Sequence, residues 1–258
     1  MRPKRLNEEQ WREMLLGNGT FLSVTNQVFR HLPSDPRCKL CHAPYGGVAG
    51  PIMKLLGYGK YPANPQLCNA CFRQSVRHPG GAEIEISVLF ADVRGSTRLA
   101  ETMPPAEFSR MLSAYYRVAT DAIREPGGLI DKLLGDGVMA LFIRGFTGAD
   151  YAAKAVAAAR TILREVELPV GAGVHTGNAW VGFIGGGEDV VDFTALGDAV
   201  NTASRLASEA MTGELLLSDA TVRAAEIPTD GLSSRRLELR GRSEPLNAWS
   251  ERVPAAVS

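Results

Sequence analysis

The chain has 258 residues, 45% of them hydrophobic, with 28 Lys/Arg balanced by 28 Asp/Glu. That length and apolar content can bury a large domain and a smaller one, which excludes a disordered or purely charged chain. No stretch approaches the roughly 18 apolar residues of a membrane span, and the basic start MRPKRLNEEQW has no apolar run behind it, so the reading is of a soluble cytoplasmic protein.

The balanced charge hides an asymmetry. Residues 1–80 hold eleven Lys/Arg against four Asp/Glu, and the remainder seventeen against twenty-four. Residues 7–16 open with Asn7 as a helix cap, followed by acidic residues, and Gly17 and Gly19 interrupt the helix. A second short helix is expected around 20–31. From Leu32 to Phe72 the chain is rich in Pro and Gly and poor in periodic apolar positions, so another device must hold it. Gln74 to Ala82 (QSVRHPGGA) reads as a linker, which sets the expected boundary: a metal-binding module over 1–80 and a larger domain over 81–258.

Beyond the linker, Ile84, Ile86, Val88 and Phe90 alternate into a strand that ends at Asp92. A helix starting at Ser96 or Thr97 is broken and restarted by Pro104 and Pro105 and reaches about Arg124. LIDKLL and VMALFI flank Gly135-Asp136-Gly137, a strong hairpin signal with Asp136 at the tip. An Ala-rich helix over 150–165 follows. Then come a strand from Val170 to His175, a Gly-rich stretch to Gly187, a strand near Val190 to Leu196, a helix from about Asp198 to Glu209 and a β-rich end.

Asp92 ends a buried strand directly before a helix start at Gly95, Ser96 and Thr97, where a carboxylate and outward N–H groups could receive a polyphosphate and its cation. Alone, Asp92 also reads as a turn residue, and Asp136 as what a tight hairpin wants. Their company is more specific. FADVRGSTRL, GGLIDKLLGDGVMALF and LGDAVNTASRL, in that order, resemble the catalytic domain of class III adenylyl and guanylyl cyclases over about residues 83–252.

The resemblance implies an α+β fold, a ferredoxin-like βαββαβ core with an added sheet. It also implies that Asp92, Asp136 and the backbone carbonyl of Val93 hold two Mg²⁺ or Mn²⁺ ions per site. Asn201 would orient the ribose, and Arg205, four residues on along the same helix face, would stabilise charge on the α-phosphate. Lys132 and Thr194 match the purine-reading pair and imply ATP, since guanylyl cyclases typically carry Glu and Cys there. Arg242 in LRGRSEPL, with Arg240 as fallback, matches the residue that neutralises the triphosphate. His175 is assigned no catalytic role. Metals and base-reading residues serve a shared site in that family, and this chain carries both sets, so the resemblance implies a homodimer. A guanylate cyclase, or a silent nucleotide- or metal-sensing module, are the alternatives.

Cys38-x-x-Cys41 and Cys68-x-x-Cys71, 26 residues apart, are spaced as two knuckles for one tetrahedral zinc. A rubredoxin-like iron site or an iron–sulfur cluster would use the same ligands. Cys38-Lys-Leu-Cys41-His42 also spells a haem attachment motif, but the second knuckle would then be unexplained. The module's basic residues are scattered rather than clustered, which argues against nucleic acid, and the acidic remainder offers an intramolecular partner.

Overall fold

The computed structural model describes residues 7–17, 29, 36–62, 66–77, 80–185, 191–238 and 245–256. The helix expected around 20–31 lies outside these except for Phe29, and Arg240 and Arg242 lie outside them entirely. Two compact units emerge: Met1–Ile84 with Trp180–Thr194, and Glu85–Ala179 with Ala195–Ser258.

In the first unit, α1 (Glu8–Leu16) begins with a reciprocal cap. The Gln10 amide donates to Asn7 Oδ1 at 2.8 Å, and the Asn7 amide donates to Gln10 Oε1 at 3.0 Å. Gly17, at φ 80°, ends the helix in the left-handed region that glycine enters without strain. Trp11 and Leu15, one turn apart, form its buried face. The Trp11 ring lies 6.0 Å from Phe183, which in turn meets Phe193 edge-on at 4.9 Å. A short helix, α2 (Gly50–Met53), runs into a π-helical turn over Lys54–Tyr58, and α3 (Asn69–Arg77) begins inside the second cysteine knuckle and carries Cys71.

The expected linker is corrected here: its first residues complete α3, and β1 (Gly81–Val93) begins before Ile84. Its glycines serve close packing rather than looseness. A Cβ at Gly81 would stand 2.2 Å from the Val181 carbonyl oxygen, and one at Gly80 would stand 2.7 Å from Trp11 Nε1.

The second unit follows the predicted order closely. After β1 come α4 (Ser96–Thr102) and α5 (Pro105–Arg124), with Pro105 in the first turn, where its missing N–H costs nothing. β2 (Leu129–Leu133) and β3 (Gly137–Phe142) form the hairpin, closed by the Leu134 amide on the Gly137 oxygen at 2.7 Å. The short α6 (Arg144–Thr147) and the Ala-rich α7 (Tyr151–Glu165) lead into β4 (Val170–Gly185). β5 (Val191–Leu196), α8 (Asp198–Glu209), β6 (Glu214–Ser218), α9 (Asp219–Ala224), β7 (Ser233–Leu237) and β8 (Leu246–Arg252) complete the chain.

Strand order is β2-β3-β1-β4-β6-β8-β7, with β5 paired to β4. The first four strands, with α5 and α7 between them, are the βαββαβ core, and β6, β8 and β7 extend the same sheet beyond β4 rather than forming a second one. β4 does not stop at His175. Its glycine-rich continuation stays extended, because Gly182 lets the Gly80 carbonyl approach to 2.3 Å of where a Cβ would stand. The main core lies on one sheet face, where Leu89, Ala91, Val138, Ala140 and Phe142 pack with Tyr115, Ala119, Ile123, Ala155, Ala159 and Ile162 of the helices. Burying such side chains contributes about 1.5–3 kcal/mol for each large one.

Candidate active site and cysteine centre

β1 and β3 are antiparallel, with Asp92 opposite Gly137. That register brings the carboxylate of Asp92 beside the hairpin tip, one residue from Asp136. The Val93 amide donates to the Asp136 carbonyl at 2.9 Å, tying the two segments together. The Ser96 hydroxyl donates to Asp136 Oδ2. Gly95, at φ 68°, and Thr97 are exposed at the same loop. Asp92, Val93, Gly95, Ser96, Thr97 and Asp136 therefore converge.

Burial pushes the Asp92 carboxyl up to about 6; the Arg94 guanidinium beside it pulls the other way, and Asp136 pushes it further up. Arg94 Nη2 stands 3.5 Å from Asp92 Oδ2, and its Nη1 donates to the Ser208 carbonyl at 3.2 Å. The sequence reading passed over Arg94 although it sits inside FADVRGSTRL. It also passed over Tyr115 and Tyr116, whose hydroxyls donate to the Ala91 and Gly135 carbonyls at 2.6 and 2.8 Å and so brace both aspartate segments. Two adjacent tyrosines on an amphipathic helix carry no signal that both would reach backbone.

Asn201 and Arg205 lie on the face of α8 opposite its buried stripe of Ala199, Thr202, Ala203, Leu206 and Ala207. Among the described residues, neither side chain hydrogen-bonds to Asp92 or Asp136. Lys132, on β2, stands 3.0 Å from the buried Asp131 carboxylate. Thr194 is buried in β5, within the other unit.

The four cysteines are brought together. Their sulfurs all lie within 4.8 Å of one another, and Cys41 and Cys68 are 3.6 Å apart. Zinc–sulfur bonds of about 2.3 Å in a tetrahedron require sulfur separations of about 3.8 Å, so this donor set fits a Cys₄ metal. No cysteine is in a disulfide. Burial opposes charge on Cys38, yet the thiols of Cys41, Cys68 and Cys71 direct hydrogens to it and hold it well below the ordinary thiol range. Cys71 is pushed up first by its hydrogen bond to Cys38. Among the aspartates the donors are oxygen only, a set that suits magnesium or manganese.

An α+β sheet that pairs two carboxylates, one at a strand end and one at a hairpin tip, presents an all-oxygen donor set of the kind hard divalent cations take. The profile of the Adenylate and Guanylate cyclase catalytic domain matches residues 81–249, well over half of the chain, and the chain belongs to that family. It is 32% identical to an adenylate cyclase of Anabaena cylindrica over 185 residues, covering 64% of this chain and 36% of that protein. Against such curated relatives the chain spans about a third of their length. Among solved structures, the guanylyl cyclase Cya2 is 31% identical with a TM-score of 0.61, covering 66% of this chain and 93% of that one. The adenylyl cyclase CyaB from P. aeruginosa is 28% identical with a TM-score of 0.59, covering 66% and 94%.

Proposed function

We propose that this nucleotide cyclase takes ATP and forms 3′,5′-cyclic AMP and pyrophosphate in a homodimer. What supports the reading most directly is the register that sets Asp92 opposite Gly137, with Asp136 next along the chain. The 3′-oxygen bonds to the α-phosphorus, the bond from that phosphorus to the bridging β-phosphate oxygen breaks in line, and the hydroxyl proton passes to solvent. Two Mg²⁺ or Mn²⁺ ions held by Asp92, Asp136 and the Val93 carbonyl would supply activation of that hydroxyl and neutralise the phosphates.

The chain's own groups do the rest. Gly95, Ser96 and Thr97 line the phosphate side, and Ser96 steadies Asp136. Asn201 orients the ribose. Arg205 offers its fork of donors to the α-phosphate as negative charge grows there. Arg242 neutralises the triphosphate. Lys132 donates to adenine N1 and Thr194 accepts from the 6-amino group, a pairing that guanine's opposite donor pattern would frustrate.

The exposed Asn201 and the half-buried Arg205 suit service to a second copy's aspartates, and the exposed Leu133, Leu134 and Leu196 suit burial there. The cysteine centre is assigned one zinc, which would supply folding free energy to a segment with little core of its own. The testing experiment offers ATP and GTP with each cation to the purified chain and to Asp92→Ala, and measures cyclic nucleotide and pyrophosphate. Cyclic AMP that disappears in the variant is the expected result. Cyclic GMP would overturn the base assignment, and turnover surviving in Asp92→Ala would overturn the cation assignment.

A further inference from the structure

Between the two cysteine knuckles the chain displays a surface that cyclisation does not use. Residues 36–82 contain Arg37, Lys39, Lys54, Lys60, Arg73 and Arg77 and not one Asp or Glu. Within that stretch Val48, Ile52, Leu55 and Leu56 are 91, 61, 89 and 63% exposed, the largest exposures among the exposed large apolar side chains of the described residues. Isolated exposed aliphatics are ordinary, but four within nine residues of chain are not.

The display is held from beneath. The Gly50 amide donates to the Gly46 carbonyl at 3.0 Å and the Met53 amide to the Ala49 carbonyl at 2.9 Å. Met53 turns inward at 4% exposure while its neighbours Ile52 and Leu55 turn out. Gly50 packs so closely that a Cβ would stand 2.4 Å from the Tyr45 oxygen, and Gly57, at φ 86°, reverses the chain. The segment is anchored at one end by Cys38 and Cys41 and at the other by Cys68 and Cys71. Lys54 sits between Ile52 and Leu55, and Lys60 follows the turn; both are exposed.

We propose that this loop docks the protein on an anionic membrane surface. Its aliphatic tip inserts among the lipid headgroups while Lys54 and Lys60 meet the headgroup charge. No described helix is long and apolar enough to cross a membrane, so the attachment is peripheral. The chain's own acidic remainder would answer the lysines, but four exposed aliphatics beside them call for an apolar layer as well as negative charge. A second copy of the loop would set cation against cation. Nucleic acid would meet the lysines, but its phosphates offer Val48, Ile52, Leu55 and Leu56 no apolar layer to enter, and the aromatic side chains that stack on bases are absent from 48–56.

The test uses the full, zinc-loaded chain without nucleotide, so its outcome is independent of the base and cation assignments. Co-sedimentation is compared between phosphatidylcholine vesicles and vesicles with about a third phosphatidylserine, where at least about tenfold stronger binding is expected, falling with salt. Leu55→Asp with Leu56→Asp should abolish binding to both, and Lys54→Glu with Lys60→Glu should remove the anionic preference, each with zinc content and turnover retained. Leu55→Trp reads insertion directly, through a blue shift of its fluorescence on anionic vesicles. Equal binding to neutral vesicles, no blue shift, or binding that survives the Leu→Asp pair would overturn the proposal. So would a change of oligomeric state in the Leu→Asp pair without vesicles, or a DNA duplex bound equally by the wild type and that pair.

Discussion

Gly137 is where the site leaves least room, and Gly137→Ala tests the arrangement with a single carbon. A Cβ there would stand 1.8 Å from Asp92 Oδ1 and 2.9 Å from its Cγ. Ordinary contact begins at 3.4 Å, so the oxygen must retreat by the difference, about 1.6 Å. The strand itself has no reason to yield, because Val138 to Phe142 are fully buried and in register with β1. Rotating the Asp92 side chain off its rotamer costs about 1 kcal/mol, which a domain of this size survives. Function is less forgiving: displacing a reacting group by about 1 Å lowers rates about 100-fold. The assay is the initial rate at saturating ATP with Mg²⁺ and then Mn²⁺, alongside a thermal melt. We expect a rate loss of about 100-fold with a melting temperature within a few degrees of wild type. Turnover within about threefold of wild type, with an unchanged melt, would refute the reasoning, because the carboxylate would then not need the space that Gly137 leaves.

Three further outcomes are expected. Lys132→Glu with Thr194→Cys should shift the ATP to GTP preference toward GTP by at least about tenfold, read as kcat/KM for each nucleotide. Glu214 is buried, and its charge, although opposed by burial, is favoured by the Met211 amide, the Ser250 hydroxyl and Arg235, which together lower its pKa. Its stabilisation is thus complete above the unfolded value of 4.5 and lost as pH falls through the lower folded value. Glu214→Gln should cost about 3 kcal/mol at neutral pH in urea melts and lose much of that penalty in acid; a penalty independent of pH would count against the ionised form. Replacing the proposed zinc with cobalt should give the thiolate charge-transfer and visible bands of a tetrahedral site, at one equivalent per chain, and Cys41→Ser should weaken them; absence of bands would count against a Cys₄ centre.

What was legible in the sequence was whatever local chemistry dictates. Pro104 and Pro105 mark the break between two helices, Asp-Gly marks the hairpin, and the alanines of 151–165 with the stripe of 199–207 mark two helices whose ends fall within a residue or two of expectation. Asp92 and Asp136 stood out as candidates because both lie at element ends inside motifs that resemble the cyclase family. Glycine was the residue misread. The run at 79–81 read as a linker, whereas Gly80 makes room for the Trp11 ring, and Gly81 and Gly182 each admit backbone from a segment about a hundred residues away. That is a tertiary fact with no local trace. Arg94 was missed for the same reason: its partner carbonyl, Ser208, is 114 residues distant.

Lys132 shows how far strand periodicity alone would mislead. Alternation from Ile130, which packs on the helix-covered core, would turn Lys132 to that same apolar side. The pairing of β2 with β3 shifts between these residues: Ile130 opposes Ala140, but Lys132 opposes Met139. Asp131 is the extra residue, and the bulge moves Lys132 to the other face of the sheet, the face of Met139, Phe90 and, two pairs further along, Asp92 and Gly137. The buried Asp131 carboxylate, 3.0 Å from the ammonium, then holds the lysine on that face. A regular strand would have placed Lys132 opposite Val138, with its charge on the helix-covered core side, where burial would drive the proton off. An irregularity of one residue thus puts a candidate base-reading cation and a candidate cation-binding carboxylate on one surface. That surface lacks the cover of α5 and α7, and a second copy could complete it.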